Sequence, residues 1–266
     1  MDKSSIIGLV VGIIAIFIGM ILKGIHPSSL NNMAAILIII LGTMASVTIA
    51  FPTNELKKVP ALFKILFSEQ KMMNMADVIK TFSNWARISR SEGILALERE
   101  LENIEDKFLK DGMEMAIDGK SPDYIRDVLL AEIELMEERH KAGAQIFSQA
   151  GTYAPTLGVL GAVVGLIAAL SDISDTEQLG YAISSAFVAT LLGIFTGYVL
   201  WNPFANKLRR KSKQEAELKM LMIEGIISII EGENPKSIEK KLSYFLPADE
   251  RVKFLNEREE SKNEQE

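Results

Sequence analysis

Few residues in this 266-residue chain are of types that carry chemistry. There is no cysteine, and the two histidines, His26 and His140, lie far apart in the sequence. The absence of cysteine excludes thiolate nucleophiles, disulfides and thiolate metal sites. The chain also has no phosphate-binding glycine loop, no dinucleotide-binding motif and no histidine cluster with metal-ligand spacing. The sequence therefore predicts no catalytic residue, no metal site and no enzyme.

The remaining polar candidates are hydroxyl groups inside long apolar segments. A hydroxyl in a membrane helix usually donates to a carbonyl of its own helix, so a structural role is expected for most of them. Thr190 is the exception, because it lies on a face of small residues that we expect to point at a pore or a partner. The group consists of Thr43, Ser46, Thr48, Thr156, Ser184, Ser185, Thr190 and Thr196.

Four apolar segments of spanning length hold these hydroxyls, at about residues 4–22, 33–51, 152–170 and 179–201. A stretch of ~20 apolar residues crosses the ~30 Å hydrocarbon layer of a bilayer. None of the four contains a charged side chain, whereas a membrane protein that works with ions usually carries an ionisable residue inside the membrane. Any titrating group in an ion pathway would therefore have to come from another polypeptide.

The composition predicts a chain that is part membrane and part water-soluble, with 48% hydrophobic and 24% charged residues. We expect an all-α integral membrane protein with four transmembrane helices and long helical cytoplasmic extensions. The predicted organisation is transmembrane helices 1 and 2 in residues 1–51, a cytoplasmic helical domain in 52–150, transmembrane helices 3 and 4 in 151–201, cytoplasmic C-terminal helices in 202–250, and a disordered charged tail in 251–266.

The orientation follows from the charges that flank the spans. Positive residues concentrate in residues 52–90 and again in 207–213, whereas the loop at 171–180 carries acidic residues and no positive charge. Because positive flanks stay in the cytoplasm, both termini are predicted to be cytoplasmic. The cluster at 207–213 is also a candidate for binding anionic lipid head groups.

The third and fourth spans differ from the first two in having a face of small residues. Such faces let helices approach closely. Two explanations stay open at this point, namely packing within the chain and the lining of a ring of subunits. Pro155 and Pro203 stand near the cytoplasmic ends of these spans, where a missing amide can bend a helix. The small residues are Gly158, Ala162, Gly165 and Ala169 in the third span and Ala182, Ala186, Ala189, Gly193 and Gly197 in the fourth.

The cytoplasmic segments show helical periodicity. Ser121 followed by Pro122 and Asp123 predicts a helix start, and an apolar stripe with His140 at its end predicts a continuous helix from Ser121 to about Phe147. A second stripe follows the fourth span and ends at residues 232–235. Between residues 54 and 110 shorter helices are expected, with breaks near 70–74, at Gly93 and at Gly112.

Several runs resemble the MotA family of flagellar motor stator subunits. They are AILIIILGT at 35–43, AFPTNELKKVP at 50–60, RSEGILALE at 90–98, GTYAPTLGVLGAVVGLIAAL at 151–170 and AFVATLLGIFTGYVLWNPFANKL at 186–208. The resemblance covers residues 1–250 in order. The third and fourth spans are also similar to those of ExbB and TolQ, which have only three spans. A ring subunit of that kind, acting on a periplasmic partner, is the alternative.

The resemblance implies a ring-forming subunit of the bacterial inner membrane. Members of the MotA family form a pentamer around two copies of MotB, whose membrane helix carries the ion-binding aspartate. Together they convert ion motive force into torque on the rotor protein FliG, which drives flagellar rotation, motility and chemotaxis. The resemblance implies no bound cofactor, contact with membrane lipid and no nucleic-acid partner.

The same resemblance assigns expected roles to individual residues by position. Arg90 and Glu98 match a charged pair that contacts FliG. Pro155, Thr190 and Pro203 match residues of the ion path and of conformational coupling. The small residues Gly158, Gly165, Ala186 and Gly193 are expected to line the surface that faces MotB.

One departure from the family bears on the translocated ion. Sodium-driven members have threonine at the position of Ala162, seven residues after Pro155. Losing that oxygen weakens a sodium site, because a hard cation needs several oxygen ligands. The sequence therefore favours H⁺.

Overall fold

The computed structural model describes residues 3–68, 72–170 and 176–263, and within these ranges the chain is helical and contains no strand. The chain divides into two compact units. One comprises Met1–Gln70 and Arg139–Lys211, and the other comprises Lys71–Glu138 and Ser212–Glu266. The prediction of an all-helical fold is confirmed.

The described residues form α-helices joined by short turns. A 3₁₀ turn (Pro27–Leu30) precedes the second helix, another (Ile94–Leu97) follows the fifth, and a π-helical turn (Thr196–Trp201) joins the ninth to the tenth. In chain order the helices are α1 (Lys3–Leu22), α2 (Met33–Ala50), α3 (Thr53–Leu56), α4 (Val59–Phe67), α5 (Met75–Glu92), α6 (Glu98–Leu101), α7 (Lys107–Ile117), α8 (Pro122–Leu170), α9 (Thr176–Phe195), α10 (Asn202–Ile230), α11 (Pro235–Ser243) and α12 (Ala248–Asn263).

Four of the described helical segments are long and apolar enough to cross a membrane. The first two, α1 and α2, begin and end within one residue of the predicted spans. The third span is the C-terminal part of α8, a 49-residue helix that continues through Pro155 without interruption. The fourth is formed by α9 and the π-helical turn, and it passes directly into α10. The acidic loop predicted at 171–180 falls largely outside the described residues.

The break predicted at Gly112 is wrong. Gly112 is buried in the middle of α7, where an added Cβ would lie 2.5 Å from Cδ1 of Ile226. It is a site of close helix packing, and the chain turns instead at Gly119, which has a positive φ of 73°. The break at Gly93 is observed, and its φ of 88° explains the glycine, since other residues rarely adopt this conformation.

The tail predicted to be disordered past Arg251 is instead helical as far as Asn263, in α12. Its composition is almost entirely polar, but Phe254 is buried in the core of the second unit, with 3% of its surface exposed. Arg258, one helical turn further on, forms an ion pair of 2.7 Å with Glu239 of α11. One apolar anchor and one ion pair therefore attach a segment that composition alone describes as unstructured.

An aromatic cluster in the first unit surrounds the junction where the fourth span passes into α10. Phe63 of α4 contacts Phe147 of α8 edge to face, with 5.1 Å between ring centroids, and it also contacts Trp201 and Phe204. Aromatic residues are enriched where a protein crosses the membrane–water interface. The cluster holds α4 against α8 and against the junction of the fourth span with α10.

The core of the second unit is formed by α5, α7, α10, α11, α12 and the N-terminal part of α8. Phe82 and Trp85 of α5 are buried and contact each other edge to face at 5.5 Å. The stripe predicted along α8 faces this core, with Ile125, Leu129 and Met136 each at most 3% exposed. This core positions α5 and the turn that follows it.

Candidate functional site

The small faces of α8 and α9 pack against each other within this chain. A Cβ added at Gly158 would lie 2.8 Å from Cα of Gly193 and 2.9 Å from the carbonyl oxygen of Ala189. A Cβ at Gly193 would lie 2.8 Å from the carbonyl oxygen of Ala154. These distances are too short for any side chain, so the two backbones are in direct contact. Small residues permit this approach in a membrane, where no hydrophobic drive brings helices together.

The predicted lining that faces a partner is therefore largely buried inside the chain. Gly158, Ala186 and Gly193 are buried against other helices of the same unit, and the expectation that they face MotB stays a prediction. The sequence shows that these residues are small and share one face of each helix, but it does not show which surface covers that face. Gly165 differs, because it is only half-buried and an added Cβ there would meet no atom within 4 Å.

Ala162 lies in an aliphatic cluster with Ala35, Ala186 and Ala189, and 8% of its surface is exposed. Three helices, α2, α8 and α9, contribute to this cluster. Its members have no side-chain oxygen or nitrogen that could bind a cation. In the position where a threonine would supply an oxygen, this chain therefore presents a methyl group within an apolar environment.

Pro155 and Pro203 lie on two helices that meet at the π-helical turn. A Cβ at Gly197, in that turn, would lie 2.7 Å from Cγ of Pro155 and 2.8 Å from the carbonyl oxygen of Gly151. The amide of Asn202 donates to the carbonyl of Gly197, five residues back. Since Pro203 has no amide hydrogen, the usual bond to Val199 cannot form, which favours the wider turn. Such π-helical turns occur frequently at functional sites.

The Thr190 hydroxyl donates to the carbonyl of Ala186 at 3.1 Å, as hydroxyls in membrane helices usually do. Its side chain lines an apolar cavity of about 550 Å³ between α1 and α9, opposite Gly12 and Ile16. Thr190 therefore lies beside the small face and not on the part of it that packs against α8. Thr48, Thr156 and Thr196 also donate to carbonyls of their own helices.

Asn32 makes a polar link between spans that the sequence analysis did not identify. Its Nδ2 donates to Oγ of Ser185 at 2.7 Å and to the Ser185 carbonyl at 3.2 Å, while its Oδ1 accepts from the amide of Ala35. One side chain therefore caps the start of α2 and attaches it to α9. An asparagine directly before an apolar run is a recognisable N-cap signal, but nothing in the sequence indicates Ser185 as its second partner.

Arg90 and Glu98 lie on either side of the sharp turn at Gly93 in the second unit. Arg90 is in the last turn of α5 and Glu98 begins α6, and both are exposed. Within the described part of the chain neither forms an ion pair. Leu95, in the intervening 3₁₀ turn, is 68% exposed. The structure thus presents two charges and one large apolar side chain around the turn at Gly93.

Two polar networks hold the helices that support this turn. Glu239 of α11 accepts from the Ser83 hydroxyl of α5 and pairs with Arg258 of α12. Glu224 of α10 pairs with Arg126 of α8, and with Lys241 of α11 at 3.4 Å. Sequence reasoning missed both networks, because their members lie between apolar stripes and resemble ordinary exposed charges.

The charges in the second network shift one another's pKa. Burial raises the pKa of Glu224, but the hydrogen bond from Arg126 and the charges of Arg126 and Lys241 outweigh burial, so the pKa lies below its ordinary value. Burial lowers the pKa of Lys241, but its bonds to Glu233 and Glu224 raise it above the usual range overall. The network is therefore fully charged at neutral pH.

Neither unit contains a metal-binding cluster among the residues described, since no three His, Cys, Asp or Glu side chains lie together. Residues 4–22, 33–51, 152–170 and 179–201 contribute hydroxyls, phenols and backbone groups but no Asp, Glu, His, Lys or Arg side chain. These segments therefore supply no carboxylate of their own.

Comparisons with known proteins agree with this arrangement. A family model described as the MotA/TolQ/ExbB proton channel family matches residues 100–220. The chain is 59% identical over 264 residues to motility protein A of Bacillus subtilis, covering 99% of this chain and 98% of the relative. It superposes with a TM-score of 0.91 and 60% identity on a chain of the flagellar MotAB stator complex of B. subtilis, covering 95% of this chain and 99% of that one. A chain of C. jejuni MotAB matches with a TM-score of 0.89 and 33% identity, over 94% and 97% of the two chains.

Proposed function

The chain belongs to the MotA/TolQ/ExbB proton channel family, and we propose that it is a stator subunit of the bacterial flagellar motor, which forms an ion channel with MotB and converts ion motive force into torque for motility. The observation that supports this most strongly is the near full-length match to a chain of a MotAB stator complex. We propose no catalytic activity of its own.

The partner in the membrane is a MotB dimer enclosed by a ring of copies of this chain, five by analogy with the family. The uncharged spans support this assignment, since an ion path needs a titrating group and this chain supplies none there. The titrating carboxylate belongs to MotB. Of the small residues first assigned to the MotB-facing surface, only Gly165 has open space beside it.

The translocated ion is H⁺. The apolar surroundings of Ala162 support this, because three neighbouring alanines offer no oxygen ligand to a sodium ion. Each proton that falls through 100 mV releases about 2.3 kcal/mol. Protonation of the MotB carboxylate changes its preference for the surrounding helices, and the ring then moves to the next site.

Movement passes from the membrane through α8 and α10. The third span is the C-terminal part of α8, and α10 follows directly after the fourth span; both helices include residues of the first and second units. Pro155 and Pro203, beside the π-helical turn, are the positions where the spans can bend. The second unit acts on FliG through the turn that carries Arg90 and Glu98. This topology requires both termini to be cytoplasmic and the protein to be in the bacterial inner membrane.

The proposal is tested in a flagellated bacterium that lacks its own stator. Expression of this chain together with its MotB should restore swimming, whereas either polypeptide alone should not. Swimming should persist when sodium is withdrawn and proton motive force is intact. Loss of swimming under that condition would reverse the assignment of H⁺. Failure to bind FliG, together with action on a periplasmic partner, would favour the ExbB/TolQ type of function.

A further inference from the structure

A cavity of about 390 Å³ opens between the first turns of α1 and the junction of the π-helical turn with α10, all within the first unit. One part of its wall is polar and is formed by Ser4, Ser5 and Lys207. The remainder is largely apolar and includes Gly8, Leu9, Val199 and Phe204. The cavity is therefore amphipathic, with its donors gathered at one end.

The donors at the polar end converge. Lys207 Nζ donates to Oγ of Ser4 at 3.0 Å and also to Oγ of Ser5. One helical turn further along α10, Lys211 Nζ donates to the carbonyls of Ile65 and Ser68, which fixes the end of α4 beside the cavity. The Ser5 hydroxyl itself donates to the carbonyl of Leu66 at 3.4 Å. The Lys207 ammonium group, with two serine oxygens beside it, suits the charge of a phosphate diester.

The cavity lies at the end of the spans where the basic residues concentrate. Lys207 is the first of five positive residues in 207–213, directly after the fourth span. Under the topology of the proposed function, this is the level of the head groups in the cytoplasmic leaflet. The negative surface potential of that leaflet attracts such clusters, and basic pockets between membrane helices bind anionic head groups.

We propose that this cavity is a binding site for an anionic phospholipid of the cytoplasmic leaflet, such as phosphatidylglycerol. The Lys207 ammonium group, beside Ser4 and Ser5, binds the head-group phosphate, and the glycerol and first acyl carbons lie along Gly8 and Leu9. A cavity of this volume accommodates the polar part of a lipid, while the acyl chains extend into the bilayer. Because Pro203 also borders the cavity, bound lipid contacts the junction proposed to bend.

The substitution Gly8→Leu tests the site without removing any charge. An added Cβ at Gly8 meets no atom within 4 Å, so a leucine side chain can enter the cavity and exclude the lipid. Gly19→Leu is the matched control, because Gly19 also lies in α1 with open space beside it, away from the cavity. Lys207→Gln removes the ammonium group, and Lys213→Gln is its control, since Lys213 is on the same helix with a side chain that is 77% exposed.

The measurement is native mass spectrometry of the full chain, purified with its MotB from nanodiscs that contain equal amounts of phosphatidylglycerol and phosphatidylcholine. We expect the wild-type complex, Gly19→Leu and Lys213→Gln to retain about five times as much phosphatidylglycerol as phosphatidylcholine. One lysine contact with an anionic head group predicts a preference of this size. Gly8→Leu and Lys207→Gln should lose this preference while eluting as intact complexes.

Equal retention of the two lipids by the wild type would overturn the proposal, as would an equal loss in Gly8→Leu and Gly19→Leu. Displacement of the lipid by millimolar inorganic phosphate would mean that the donors bind a soluble anion instead. Lipid retention does not depend on torque, so failure of this proposal is distinguishable from failure of the stator function.

Discussion

Gly158 of α8 and Gly193 of α9 are in backbone contact, since a Cβ at Gly158 would lie 2.8 Å from Cα of Gly193. At this contact the third and fourth spans meet through two residues that have no side chain. Close packing of this kind supplies most of the attraction between helices in a bilayer. The small faces hold the two spans of one subunit together, which leaves other faces of the helices for a partner.

Gly158→Ala should destabilise the protein by about 1–3 kcal/mol, because backbone atoms of α9 cannot move aside as a side chain can. Gly165→Ala is the control, as it has open space and should be neutral or slightly stabilising. The midpoint of thermal unfolding in detergent measures the difference. Equal midpoints for the two variants would contradict the observed helix contact.

The link from Asn32 to Ser185 gives a second prediction. Asn32→Ala removes the N-cap of α2 and both hydrogen bonds to α9, so it should lower the unfolding free energy by about 1 kcal/mol or more. Asn32→Ser keeps a capping oxygen but not the amide donor, and Ser185→Ala removes only the acceptor hydroxyl. A double-mutant cycle with Asn32→Ala and Ser185→Ala should give a coupling of about 0.6 kcal/mol. Strict additivity would show that the bond contributes nothing.

The structure shows which features the sequence could predict and which it could not. The spans followed from apolar length, and the turn at Gly93 followed from glycine chemistry. Gly112 was misassigned because a glycine that ends a helix and one that admits a neighbouring Ile226 are identical in sequence. The same limit applies to Gly158 and Gly193. Their periodicity placed them on a face of small residues, but it did not show which helix covers that face. The helical tail depends on one buried residue, Phe254, and on the ion pair of Arg258 with Glu239, and neither is visible in the average composition of the segment.

The network of Glu224, Arg126 and Lys241 predicts a dependence of stability on acid pH. The pKa of Glu224 is lowered by folding from its ordinary value near 4.5. Its contribution to stability is therefore fully present above that value and is lost as pH falls through the lower pKa of the folded state. Because of this loss, the midpoint temperature of thermal unfolding should fall by about a few degrees between pH 6 and pH 3.

Glu224→Gln isolates this contribution from that of other carboxylates. The variant should be less stable than the wild type at pH 6, and the gap should narrow towards pH 3, because protonated Glu224 resembles glutamine. A constant gap across this range would contradict the predicted direction of the pKa shift. Glu217→Gln is the control, since Glu217 is on the same helix, with a side chain that is 52% exposed, and pairs only with Lys213 at 3.8 Å among the described residues.

The turn that carries Arg90 and Glu98 gives the last prediction, which separates a rotor-binding surface from a structural one. Both residues are exposed, so Arg90→Glu and Glu98→Lys should each change the unfolding free energy by less than about 0.5 kcal/mol. Both should nevertheless weaken FliG binding and reduce torque, measured as the rotation speed of tethered cells. The double reversal is expected to abolish rotation, because under the proposed function the two charges act on the same partner.

Lys80→Glu provides the matched control for these charge reversals, as Lys80 is exposed on the same helix α5, more than two turns before Arg90. It should leave both rotation and stability unchanged. A compensating charge reversal on FliG should restore rotation to the Arg90→Glu variant, which a structural role of Arg90 does not predict. Normal torque in the double reversal would show that the rotor-binding surface lies elsewhere on the second unit.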